Sequence, residues 1–393
     1  MHTDFLNEAQ AIQEELIAIR RDIHAHPEPG NQEFRTSGII QAYLKDLGIE
    51  VEQMLETAVV GTLRGAHPGK TVAFRADMDS LPVEEQTGLP FASCEKGRMH
   101  ACGHDVHVTA LLGAAKLLAA HRDELHGNVK FFFEPDEETW GGARRMMEAG
   151  CMENPHVDAV FGAHVDPNLD SGKIAVKYGN HYATSDIFTA IVHGVSTHGA
   201  EPHNGIDPIV VGAQIVLALQ TIPSRRMPPA VPCVLTIGEF HAGNRFSIIG
   251  DTAKIVGQFR TYGVENRDKM NKLVPEIIHG VAEANGATVD LDMIYGYSGV
   301  VNHAETTDIV VSAVKEVLGE KSLVVYQDPT LLTEDFGYFI EKTPGTFYHI
   351  GVRNPELGAV HPLHSGLFRV DEAAIPEAAA VHAQVMWDFL HMT

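Results

Sequence analysis

Cysteine is scarce in this 393-residue chain: there are four, at positions 94, 102, 151 and 233. Their scatter gives no disulfide framework, so free thiols in a reducing compartment are expected. Positive charge is also in deficit, with 29 Lys and Arg against 52 Asp and Glu and a formal net charge of −23. That imbalance argues against nucleic acid or an anionic membrane as a partner, because both would repel the chain. No apolar run reaches the roughly 18 residues that mark a spanning helix, so no membrane segment is expected. The opening MHTDFLNEAQAIQEEL is acidic and amphipathic, and lacks the basic start and apolar stretch of a signal peptide. These absences together predict a cytoplasmic location. Internal repeats and low-complexity segments are absent as well.

Length alone predicts two or three domains. Helices are expected over residues 9–21 and 36–47, then strands over 58–64 and 71–76 joined by a Pro-Gly turn at 65–71. A helix over 106–121, a buried strand over 128–133 (VKFFF), a helix over 142–149 and a strand over 158–163 follow. This alternation predicts an α/β layer with a mixed, largely parallel sheet flanked by helices. The rhythm then changes to β-α-β-β-α-β across residues 185–294, the order of a ferredoxin-like α+β split sandwich. The expected division is therefore 1–178 with 294–393 as one domain and 179–293 as an inserted one.

Histidine is abundant at 23 residues, far more than one site uses, so a lone histidine carries little weight. The stretch MHACGHDVH is different, because it sets Cys102 and His104 on either side of Gly103. A glycine turn can bring a thiolate and an imidazole to one point, a pairing suited to zinc and its neighbours. A buried free cysteine is the equal alternative from this stretch alone. Asp77, Glu137, Glu138 and His164 each follow an expected strand, where the sites of α/β sheets gather. With His364 these residues offer enough donors for two ions, which can polarise a carbonyl together. Of the adjacent pair Glu137 and Glu138, one carboxylate can bind metal while the other moves a proton. Asp77 and Asp79 can each orient a ligand imidazole, and spacing alone does not choose between His361 and His364.

The ordered segments RRDIHAHPE, FRADMDSLP, MHACGHDVH, EPDEETWGGARRMMEAG, GAHV, HGAEPHNGIDP, TEDFGYF and LHSGLF span nearly the whole chain. In this set the chain resembles the M20 metallopeptidase family, in its amidohydrolase branch of N-acyl-amino-acid and auxin-conjugate hydrolases. The resemblance implies a two-metal catalytic domain with an inserted lid or dimerisation domain. It implies Cys102, His104, Glu138, His164 and His364 as ligands of two divalent ions (zinc, manganese, cobalt or nickel). Glu137 would be the general base, Asp79 the orienting acid, and His198 the group that stabilises the oxyanion from a partner subunit. Arg260 would bind the substrate carboxylate. The family's substrate-binding asparagine is replaced by Ser247, with Asn244 three residues earlier as its possible substitute. Glu134 and Asp136 stand where glutamine and alanine are common, and Gly366 where proline is.

The expected function is metal-dependent hydrolysis of the amide bond of small N-acyl amino acids or related conjugates, by a homodimer or dimer of dimers. The alternatives are a dipeptidase, aminopeptidase or carboxypeptidase with the same machinery, and a catalytically silent metal-binding relative. A thiol enzyme using Cys102 as nucleophile is the remaining idea.

Overall fold

The computed structural model describes residues 3–392. Its helices and strands fall into two compact units: Met1–Gly179 with Val301–Asp328 and Asp335–Thr393, and Asn180–Val300 with Pro329–Glu334.

The first unit begins with two helices, α1 (Phe5–Ala11) and α2 (Gln13–Ala25), where sequence periodicity predicts one. The chain leaves helical geometry at Ile12, whose N–H bonds to the Ala9 carbonyl. The break lets Phe5 pack edge-on against Trp387 and His121, and this aromatic burial outweighs helix continuity. Next come α3 (Phe34–Asp46) and strands β1 (Glu50–Met54), β2 (Ala58–Arg64) and β3 (His67–Asp77). Strand β3 starts within the expected Pro-Gly turn, so the turn shrinks to two residues, Gly65 and Ala66. Helix α4 (His104–Ala120), β4 (His126–Glu134), α5 (Ala143–Glu148), β5 (Ala159–Asp170) and β6 (Ile174–Val176) follow.

The second unit contains β7 (Thr184–His193), α6 (Pro208–Leu219), β8 (Cys233–Ala242), β9 (Thr252–Thr261), α7 (Val264–Ala284) and β10 (Thr288–Tyr295). The chain returns to the first unit with α8 (Ala304–Val317), β11 (Leu323–Val325), α9 (Gly337–Ile340), β12 (Gly345–Arg353) and α10 (Ala374–His391).

The large sheet has eight strands in the order β1-β2-β4-β3-β5-β12-β6-β11. Its central pairings, β4 with β3, β3 with β5 and β5 with β12, are all parallel. The VKFFF run is explained by cover on both faces. Phe131 and Phe133 enter the main core with α4 and α10, while Phe132 stacks on Phe339 of α9. Strand β5 is longer than its apolar run suggests, so His164 lies within it rather than after it. The register sets Arg75 beside Gly162, which brings His164 level with Asp77, the last residue of β3. Beyond that level β5 runs on beside β12 alone.

In the second unit the four strands are antiparallel in the order β8-β9-β7-β10. This is the ferredoxin-like arrangement. Strand β7 alternates buried and half-buried residues, and α7 buries Met270, Val274, Ile278 and Ala282 at four-residue spacing. These close one apolar core with Phe188, Ile255 and Phe259. Asp207 caps α6 by accepting hydrogen bonds from the backbone of Ile209 and Val210.

Candidate metal centre

Helix α4 opens at Gly103, whose φ of +88° is left-handed. A Cβ there would lie 2.5 Å from Val165 Cγ2, so both the angle and the space demand glycine. The turn places buried Cys102 before it and buried His104 after it. Cys102 Sγ lies 3.3 Å from Nε2 of His164. His164 Nδ1 donates to the Val165 carbonyl at 2.8 Å, which leaves the lone pair of Nε2 facing the thiol.

His104 Nδ1 lies 3.2 Å from Asp79 Oδ1, and the other Asp79 oxygen accepts the Glu138 N–H at 3.0 Å. Asp79 thus holds two of the expected ligands with one carboxylate. Glu138 Oε1 is 3.3 Å from His364 Nε2 and 3.9 Å from His104 Nε2. His364 is exposed, sits at φ +63°, and is fixed by its N–H on the Ala101 carbonyl. Of the two histidines that spacing left open, His364 is the one beside Glu138.

The electrostatics call for cations. Burial, then Glu138, Glu137 and Asp77, push the Cys102 thiol well above its ordinary range. Burial works against protonated His104, but Asp77, Asp79 and Glu138 outweigh it and raise that imidazole to about 10. Burial also opposes the Glu138 carboxylate, yet His364 and His104 hold it below the usual range. Buried His104 Nε2 has no hydrogen-bond partner. Unpartnered buried polar atoms are costly unless something else binds them. Cys102, Glu138 and His364 offer donor atoms within 4.8 Å of one another, and so do His104, Glu137 and Glu138. Glu138 belongs to both groups. Thiolate, imidazole and carboxylate donors in this arrangement fit two divalent ions.

Glu137 and Glu138 stand on a turn that the sequence did not reveal. Asp136, just before them, has φ +63°, and its N–H bonds at 3.0 Å to buried Glu33. Gly30 lies against it so closely that a Cβ would come within 2.2 Å of Asp136 Oδ1. Glu33 also accepts the Asn31 N–H at 3.0 Å and the Thr57 hydroxyl at 2.7 Å. Burial raises its carboxyl to about 7, against those hydrogen bonds.

A second feature missed from sequence lies beneath the site. Arg75 is fully buried and bridges Glu134 (2.6 Å), Asp77 (2.8 Å) and Asp335 (2.8 Å). Its signal was a charged residue inside the apolar run VAFRAD. Glu134 therefore spends its charge on Arg75. Asp335, from the Asp-Phe-Gly run, is pushed up by burial and by Glu134. Asp77 Oδ1 lies 2.6 Å from His107 Nδ1.

His198, Arg260 and Asn244 belong to the second unit. His198 is exposed, pairs with Ile248 through its backbone, and accepts the Ala200 N–H on Nδ1. Gly199 N–H bonds to the Ser247 carbonyl, so the serine lies next to His198 and exposed Asn244 sits in the preceding turn. Arg260 is half-buried and donates to the Leu331 carbonyl at 2.8 Å.

Residues 73–388 match the model of peptidase family M20/M25/M40. Thermostable carboxypeptidase 1 of Saccharolobus solfataricus is 42% identical over 382 residues, covering 96% of each chain. The N-acetyl-L-cysteine deacetylase of Bacillus subtilis is 37% identical over 94% of this chain and 86% of its own. The crystal structure of the Bacillus subtilis YXEP protein, a dinuclear metal-binding peptidase, superposes with a TM-score of 0.85. It is 33% identical, with 98% of this chain and 100% of that one covered. The chain belongs to peptidase family M20 and is a metal-dependent hydrolase of amide bonds.

Proposed function

For this member of peptidase family M20, we propose hydrolysis of the amide bond between an acyl group and an amino acid that keeps its free carboxylate. The observation that carries the proposal is the gathering of Cys102, His104, Glu138 and His364 donor atoms, with Glu137 on the same turn as Glu138. Cys102, His104, Glu138, His164 and His364 would hold two ions of zinc, manganese, cobalt or nickel. When bound, such ions polarise the substrate carbonyl and acidify a water.

The chain's own groups do the rest. Glu137 takes a proton from the attacking water and delivers it to the nitrogen of the departing amine. Asp79 keeps His104 and the Glu138 backbone in place while charge moves. His198, supplied by a second copy in a homodimer or dimer of dimers, offsets negative charge on the carbonyl oxygen. Arg260 pairs with the amino-acid carboxylate, and Asn244 adds a donor. Residues 179–293 then act as the lid and dimerisation domain, and the remainder as the catalytic one.

Carboxypeptidase action is the second reading, favoured by the name of the 42% identical relative. Both readings share the leaving amino acid and differ in the acyl side. A panel of N-acetyl amino acids, an indole-acyl conjugate and C-terminally matched dipeptides, run on metal-loaded protein, separates them. Faster turnover of the acyl amino acids supports the first reading. Faster turnover of the peptides supports the second. Cleavage of substrates whose carboxylate is amidated contradicts both.

A further inference from the structure

We propose that His107 is a positioning residue that anchors the backbone at Val165 and so fixes the aim of His164, and is not itself a metal ligand. The inference rests on the ligand set proposed above. By proximity alone His107 looks like a ligand. It lies one turn after His104 on α4, and Asp77, His104, His107 and His164 offer donor atoms within 4.8 Å of one another.

Hydrogen bonding gives the opposite answer. His107 Nε2 receives the backbone N–H of Val165 at 2.9 Å. An amide N–H can only donate, so that nitrogen carries no proton and its lone pair is already used. The ring proton must then sit on Nδ1, where Asp77 Oδ1 is 2.6 Å away and accepts it. Arg75 occupies the other Asp77 oxygen at 2.8 Å and keeps the carboxylate charged.

The next peptide unit of β5 orients His164. The Val165 carbonyl accepts the His164 Nδ1 proton at 2.8 Å, which leaves His164 Nε2 bare and 3.3 Å from Cys102 Sγ. Donors and acceptors run from Arg75 through Asp77 and His107 to the Val165 N–H, and the Val165 carbonyl then holds His164. Each link has one direction, so both histidine tautomers are set before any ion arrives. Metal-binding histidines commonly gain basicity and orientation from such outer partners.

The test uses His107→Asn and His107→Gln in the full-length protein, with zinc as the probe. An asparagine amide reaches the place of Nδ1 and retains the Asp77 bond. A glutamine amide reaches the place of Nε2 and can accept the Val165 N–H. Wild type and both variants are expected to hold two zinc ions per chain at saturation. Zinc affinity should fall about 10–100-fold in the asparagine variant and by less in the glutamine variant. Fewer than two ions in wild type overturns the ligand set and this inference with it. Two ions in wild type but one in both variants overturns this inference alone, as does unchanged affinity in both. If neither variant folds, anomalous diffraction from zinc-loaded wild type decides. An ion about 2.0–2.1 Å from His107 Nε2 contradicts the proposal, and both ions beyond bonding range of that atom support it.

Discussion

In the first unit, Asp79 is 1% exposed and uses its two oxygens to hold His104 and the Glu138 backbone. In the second, His198 is exposed and its ring accepts from its own loop, at Ala200. Buried groups with fixed donors and acceptors are positioned in advance, because every alternative rotamer strands a polar atom. An exposed histidine keeps rotamer freedom and is ordered at the moment of binding. Changes in the first unit should therefore move both stability and activity. Changes at the exposed residues of the second should move activity alone.

The largest expected effect is removal of the ions. Exhaustive chelation should lower turnover about 1,000-fold or more, and zinc or manganese should restore it. The thermal midpoint should fall as well, since ligands bound at about 1,000 times their dissociation constant contribute about 4 kcal/mol. Activity that survives chelation and dies on alkylation would instead point to Cys102 as a nucleophile. Next is His198→Ala, expected to lower kcat about 100–1,000-fold with stability changed by less than about 0.5 kcal/mol. Mixing that variant with a first-unit variant should regain activity if the histidine is supplied by a second copy. A large loss of stability in His198→Ala would break the contrast between the units.

Arg75→Met should destabilise the metal-free protein by about 3–5 kcal/mol, because it strands buried carboxylates. Denaturant melts read that loss directly. The smallest effect concerns Glu33. Its carboxyl is raised from 4.5 to about 7 in the folded state, so the folded protein holds this proton longer than the unfolded chain. Stability from this group is therefore fully present below pH 4.5 and falls as pH rises towards 7, by about 2–3 kcal/mol. Glu33→Gln should flatten that part of the stability-against-pH curve in metal-free protein. An unchanged curve would assign the slope elsewhere.

The two units also differ in how far their sequences could be read. In the second, the order β-α-β-β-α-β read over residues 185–294 foretold the split sandwich. In the first, the Cys-Gly-His turn and the Glu137–Glu138 pair were visible as chemistry, because their donors are close in sequence. His364 was chosen over His361 by family resemblance, since nothing in spacing separates two histidines three apart. Asp136 at φ +63° was illegible, because Gly30 and Glu33, which enforce it, lie over 100 residues away. The part played by His107 was hidden for the same reason, its partner being a backbone N–H 58 residues on. Periodicity records which face is buried. It does not record which distant backbone atom a buried imidazole meets.

The central claim is that Glu137 moves the proton while its neighbour Glu138 binds metal. Metal content and turnover of Glu137→Gln, determined on the same sample, test it most directly. The account predicts two ions per chain, as in wild type, with kcat lower by about 100–10,000-fold. Full metal content with unchanged turnover would contradict it.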